Sequence, residues 1–359
     1  MFDQEPAPRF SRQIWFVVIM ILLLLGLMAA ILLDWQPDIH WSLSLPARTP
    51  KPTALQPTPT PPQTALPTSE AEATMQAQQT AEARRHAIAP TPTPSWRFFT
   101  GSPLEEAPRE EHYLLGRPIA PDGVDYIAYT YPYGSRGDGT YPIHHGVEFV
   151  NPIGTEILAV GDGTIVAAGE DKTEVYGART DFYGRAIILK LDQTFREKPV
   201  YVLYGHLSQI MVEEGQKVKE GEVIGLVGMA GIAEGPHVHL EVRYGENDYY
   251  YTANPVLWLR PFENHGTLAG AVVTDDGRMI PDARVILYRA NNPGVPVRYM
   301  SSYPARSVNP DPSWGENWAA GDLPAGQWIV EVQHAGRSYS SDVTIAAGKT
   351  TWVTVYVAG

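Results

Sequence analysis

Gly235-Pro236-His237-Val238-His239-Leu240-Glu241-Val242-Arg243-Tyr244 decides how this 359-residue chain is read. From His237 onward, polar and apolar residues alternate with the period of a half-buried β-strand. Side chains two apart share one face of a strand. Val238, Leu240 and Val242 are therefore expected to point to a core, and His237, His239, Glu241 and Arg243 to share the other face. Two imidazoles about 7 Å apart along a strand can flank one centre without both binding it.

The same texture continues on both sides. TEILAV (155–160), TIVAAG (164–169), RAIILKL (185–191) and PVYVLYGHL (199–207) read as further strands. VEEGQKVKEGEVIGLVG (212–228) reads as tight hairpins, and no amphipathic helix interrupts the block between about 113 and 259. A second β-unit runs from Gly266 to Gly359 through TLAGAVV, ARVILYR, QWIVEVQ, RSYSSDVTI and TTWVTVYV. Turns at Asp276-Gly277, Pro324-Ala325-Gly326, Ala335-Gly336 and Ala347-Gly348 separate these runs, which predicts a small sandwich.

Five histidines of the middle block fall in three clusters, IHHGVEF (143–149), YGHLS (204–208) and GPHVHLEVR (235–243). The chain has no cysteine, so any metal must be held by imidazole and carboxylate. His144 and Glu148 from one segment, with an imidazole from another, make a three-ligand zinc site that leaves a fourth position for water. Zinc in such a site activates water and polarises a carbonyl. Proton transfer then needs a residue that is not a ligand, and His206 and His237 are the candidates. His145, beside a candidate ligand, lines the site or hydrogen-bonds near it. His40, His86, His112, His265 and His334 stand alone among polar neighbours and read as solvated.

These motifs resemble the lysostaphin-type peptidases, also called the LytM family. That family's H-x-G-x-D, Tyr-x-His-Leu and G-x-H-x-H are matched by His144-His145-Gly146-Val147-Glu148, Tyr204-Gly205-His206-Leu207 and Gly235-Pro236-His237-Val238-His239. Pro152-Ile153-Gly154-Thr155, Gly161-Asp162-Gly163, Gly221 through Gly225 and Asn254-Pro255 extend the likeness over the middle of the chain. The resemblance implies His144, Glu148 and His239 as ligands of Zn2+, His206 and His237 as catalytic residues, and peptidoglycan peptides as substrate. Glu148 departs from the pattern, standing where the family has Asp. Arg136, in YGSR, matches a frequent upstream feature with no assigned role. The alternative implied by the same family is a catalytically weak domain that activates or recruits another wall hydrolase.

Ile14 to Leu33 carries no charge, and about 20 apolar residues suffice to cross a bilayer. Arg9 and Arg12 precede it and Asp34 and Asp38 follow it, so the positive-inside rule puts the remainder outside the cytoplasm. The run exceeds the roughly 7–15 residues of a signal-peptide core, which favours an uncleaved anchor. Next comes a Pro/Thr-rich tract, as in QPTPTPP and APTPTPS, which suits an extended spacer. Within it Ser69 to Ile88 favours a short solvated helix. A net charge of −13 and the lack of a basic run argue against a nucleic-acid partner.

The insert Asp171 to Tyr183 is expected to wall a groove or to be a solvated loop. The C-terminal unit resembles carboxypeptidase-regulatory-like modules in GAVVTDDGRMIPDARVILYRA (270–290), and its Trp314 and Trp318 are candidates to stack on sugars or to plug the sandwich. The expected architecture is mainly β. It comprises a cytoplasmic N-terminus (1–13), a transmembrane helix (14–33), a stalk (34–97), an antiparallel β-sheet peptidase domain (98–262) and a C-terminal β-sandwich (263–359). Oligomeric state is not legible.

Overall fold

β-branched runs bounded by glycine turns build nearly all the regular secondary structure of the described residues. The structure, a computed structural model, describes residues 109–137, 139 and 141–358. The expected membrane segment 14–33, the stalk 34–97, His40 and His86 lie outside the described residues. Among the described residues no helix is long and apolar enough to cross a membrane.

The first ten strands are β1 (Val147–Val150), β2 (Glu156–Leu158), β3 (Gly163–Glu170), β4 (Arg185–Leu191), β5 (Val200–Gly205), β6 (Gln209–Ile210), β7 (Lys217–Val218), β8 (Val223–Leu226), β9 (His237–Tyr244) and β10 (Thr252–Ala253). Seven of them form one antiparallel sheet in the order β1-β9-β5-β4-β3-β7, with β10 also paired to β9. β2, β8 and β6 form a small second sheet. Between the sheets lies the main core, in which Val238, Leu240 and Val242 of β9 meet Val202, Tyr204, Ile187, Ile157 and Ile224. The alternation read from β9 thus matches the face it buries. The opposite face is also covered, because Tyr183 packs there against Ile188 and Leu203.

The remaining strands are β11 (His265–Thr274), β12 (Arg284–Arg289), β13 (Asn292–Ser301), β14 (Trp318–Pro324), β15 (Gly326–His334), β16 (Arg337–Ile345) and β17 (Thr350–Val357). They form two sheets, β14-β11-β17 and β13-β12-β15-β16. Leu268, Val272 and Val355 of the first share a core with Val285, Leu287, Trp328 and Val330 of the second. β11 and β17 run parallel, whereas every other pair is antiparallel.

The structure corrects one reading and decides another between its two alternatives. His112, expected to be solvated, is buried, with Nε2 2.9 Å from Asp311 Oδ2 and its ring against Phe195 and Trp258. Its carboxylate partner lies 199 residues further along the chain, so its polar sequence neighbours gave no sign of it. Trp314 and Trp318 are buried and plug the core, which leaves them no face for a sugar.

Candidate active site

Backbone pairing brings the three histidine clusters together. β1 lies beside β9 with Glu148 opposite His239, and β5 lies on the other side with Gly205 opposite His239. Side chains opposite each other in an antiparallel pair share a face, so Glu148 and His239 emerge together and His206 follows at the end of β5. His144 sits just before β1, fixed by Gly134 N–H donating to its carbonyl (2.8 Å) and by its own N–H donating to Ser135 (2.9 Å).

Gly146 explains the glycine between them. A Cβ there would come within 2.4 Å of the Leu240 carbonyl oxygen and 2.7 Å of His239 Nε2. Only a residue without a side chain lets β1 close on β9 at this point.

His144 Nε2 lies 3.1 Å from His239 Nδ1 and 3.7 Å from Glu148 Oε1. Donor atoms of all three residues lie within 4.8 Å of one another, a group able to hold a metal ion. Zinc takes nitrogen and carboxylate oxygen at about 2.0–2.2 Å in tetrahedral array, and donors roughly 3–4 Å apart suit that geometry. Ligation also needs neutral imidazoles. Burial first, and then the neighbouring His239, holds His144 well below the ordinary histidine range. His239 is held well below it too, by burial and by His237 and His145. Burial raises the Glu148 carboxyl, with His237 opposing and Glu234 reinforcing the rise. The donor spacing and the neutral imidazoles fit zinc, whose charge would favour the Glu148 carboxylate against that burial.

Behind His239 stands a buried carboxylate. His239 Nε2 donates to Glu241 Oε1 (3.3 Å), which leaves Nδ1 as the lone-pair nitrogen turned toward His144. Glu241 is held in turn by the Arg243 guanidinium (2.9 and 2.8 Å) and by the Tyr183 hydroxyl. Such partners orient a metal-binding histidine and fix its tautomer. Tyr183 is delivered by the 171–183 insert, whose Asp171 carboxylate accepts from the N–H groups of Phe182, Tyr183 and Gly184. The Tyr176 carbonyl accepts from Arg243 (2.6 Å). The insert thus supports the floor of the site, and its Phe182 lines the cleft.

His206 and His237 stand together, ring centroids 4.7 Å apart. Both use Nδ1–H on a backbone carbonyl, His206 on Ala230 and His237 on Gly235, each at 2.8 Å. Each Nε2 is then the nitrogen carrying the lone pair. His237 Nε2 has no hydrogen-bond partner and lies 3.6 Å from Glu148 Oε1. Burial, then His239 and His237, brings His206 down to about 3. His206 also adopts φ +66, a left-handed conformation costing a non-glycine residue about 1–3 kcal/mol. Its N–H donates to Tyr183 (2.9 Å) and its carbonyl accepts from Ala230 (3.3 Å), which hold it there.

The five residues open into a cleft of about 470 Å³ walled by Tyr131, Tyr141, Phe182 and Tyr249. Tyr131 stacks on His144 at 4.0 Å, and Tyr141 donates to Glu234. His145 does not join the donor group. It stacks on Tyr249 at 4.0 Å and pairs its Nδ1 with Thr252 Oγ1 at 2.9 Å. Arg136 is exposed. The sequence reading missed Glu241 and Tyr183 as supports, although the alternation of β9 had already placed Glu241 on the face of His239.

Residues 142–251 match peptidase family M23. All five site histidine and glutamate positions fall inside this M23 segment. The peptidoglycan DD-endopeptidase ShyA of Vibrio cholerae is 34% identical over 99 residues, 28% of this chain and 20% of that protein. The DD-carboxypeptidase/endopeptidase Mpg of Neisseria meningitidis is 35% identical over 121 residues, 33% of this chain and 25% of the relative. The glycyl-glycine endopeptidase ALE-1 of Staphylococcus capitis is 33% identical over 111 residues, 29% and 27% of the two chains. The chain thus spans about a fifth to a quarter of the length of these curated relatives. Outside the M23 segment lie the C-terminal sheets and the strands β10 to β17.

Proposed function

We propose that this chain is a zinc endopeptidase that hydrolyses amide bonds in the peptides of peptidoglycan. The observation that carries the reading is the convergence on one cleft of three metal-capable donors and two imidazoles, His206 and His237, with lone pairs on Nε2. The names of the M23 relatives, which act on peptidoglycan or on glycyl-glycine bonds, supply the substrate class.

His144, Glu148 and His239 hold the metal, and Glu241 keeps the His239 tautomer that presents Nδ1. Zinc bound there supplies a Lewis acid that polarises the scissile carbonyl and favours ionisation of water. The aromatic walls Tyr131, Tyr141 and Tyr249 grip an extended peptide and exclude bulk water from it. As water adds to the carbonyl carbon, an Nε2 of the His206–His237 pair takes its proton. The C–N bond then breaks, and a proton passes to the leaving nitrogen, giving a carboxylate and an amine. Ile14–Leu33 anchors the chain with Arg9 and Arg12 inside, so that the cleft works outside the cytoplasm, facing the wall.

Zinc quantitation coupled to digestion of purified peptidoglycan tests the reading. One zinc per chain with release of new amino termini is the expected result. Zinc without hydrolysis favours the alternative of an activator of another hydrolase, and the absence of both sinks the metal site.

A further inference from the structure

A 16-residue connection, Ser302–Asn317, joins β13 to β14 without a strand or helix of its own. Connections longer than about 12–15 residues with no regular structure are uncommon, and are usually either functional or plain linkers. This one leaves its own sheets and packs on the M23 segment and the strand beyond it. Asn309 Nδ2 donates to the Tyr250 carbonyl (2.8 Å) and to the Thr252 carbonyl (3.0 Å), using both of its protons on one turn. The Tyr303 hydroxyl accepts from Asn254 Nδ2 (2.8 Å) and donates to the buried Glu316 carboxyl (2.9 Å).

That turn is the back of the cleft. Thr252 pairs through Oγ1 with His145, and His145 stacks on Tyr249, which lines the cleft wall. The same connection also reaches the strip that carries His144. Tyr133 sits edge-on to Tyr303 at 5.5 Å, with its hydroxyl 2.9 Å from the Thr252 carbonyl oxygen and 3.1 Å from that of Asn309. Gly134, whose N–H holds His144, packs so closely on the Tyr303 ring that a Cβ there would approach it to 2.5 Å.

We propose that the Ser302–Asn317 connection is a brace of the cleft, with Asn309 and Tyr303 as positioning residues for the Tyr249 wall and the His144 strip. The C-terminal sheets are then a working part of the site, which an accessory module joined by a linker is not. This inference rests on the peptidase reading of the cleft.

The test uses the full chain with Asn309→Ala and with the isosteric Asn309→Asp, which keeps the shape and removes the donors. Asn309 is only half-buried, so neither change should unfold the protein. Hydrogen exchange across 249–254 is expected to speed up while β4 and β5 keep their protection. On a cell-wall peptide at saturating zinc, KM should rise about fivefold, with kcat within about twofold, because the Tyr249 wall binds substrate and does not touch the reacting atoms. Native exchange or native KM in both variants overturns the brace. A native chain without hydrolysis would overturn the peptidase reading instead, and zinc affinity would then decide the brace, because His144 rides on the braced strip. A loss of about tenfold in Asn309→Ala supports the brace, and an unchanged affinity overturns it.

Discussion

Glu148 and His239 are direct partners across the antiparallel β1–β9 pair. Their shared face makes the carboxylate's reach a matter of side-chain length alone, since the backbones are already locked by the ladder. Glu148→Asp withdraws the oxygen by one methylene from the His144 donor, Nε2, that now stands 3.7 Å away. Zinc affinity should fall by about tenfold or more, ~1.4 kcal/mol, and hydrolysis should fall with it. A gain in both for the Asp form, measured by chelator competition and wall digestion, would mean that the native site is the impaired one.

His206→Ala and His237→Ala separate proton transfer from metal holding. Both should keep their zinc, and kcat should drop by about 10²–10⁴. Loss of the metal from either variant would move that histidine into the ligand set.

Glu241 serves both His239 and Arg243 besides accepting from Tyr183, so Glu241→Gln should show two separable effects. The amide no longer fixes the His239 tautomer, and zinc binding should weaken by about 10–100-fold. Arg243 is left as a buried charge without its carboxylate, at a cost to folding of about 3–5 kcal/mol. Chelator titration and urea unfolding measure the two separately; unchanged zinc affinity would mean that His239 needs no support.

His112 carries a pH dependence of stability. Burial pulls its pKa down, but the hydrogen bond and charge of Asp311, joined by the Glu110 carbonyl and the Glu111 charge, together outweigh burial, and the net shift is upward. A group whose pKa is raised by folding stabilises the protein fully below its unfolded value, about 6.5, and loses that contribution as pH rises through the folded value. The melting temperature should therefore fall between mildly acid and mildly alkaline pH more steeply in the native chain than in His112→Gln. Parallel curves for the two proteins would remove the pair from the stability of the fold.

How far the sequence revealed these features follows from the range of the interactions. The inward and outward faces of β9 were legible because alternation is local, and so were the three histidine clusters. The register that sets Glu148 against His239 was not, since a one-residue slip would leave each strand's own pattern intact. β13 was hidden by Pro293 and Pro296, which argue against a central strand; it lies at a sheet edge, where proline is tolerated. His112 and Asp311, and likewise Asn309 and Thr252, meet across long separations that no window of sequence spans.

The parallel pairing of β11 with β17 sets a timetable for the molecule. Thr267 is matched to Thr350 and Thr274 to Val357, so the sheet that carries β14 gains its third strand only after residue 357 has been made. Such long-range pairings close late in folding, because the loop between them must be ordered first. Thr350 also receives Glu111, from the start of the described chain, through its N–H (2.7 Å). A nascent chain can thus carry every histidine of the cleft while still lacking the strand that completes the unit behind it. Any property of the cleft that depends on that unit would therefore wait until residue 357 has been made and β17 has paired with β11.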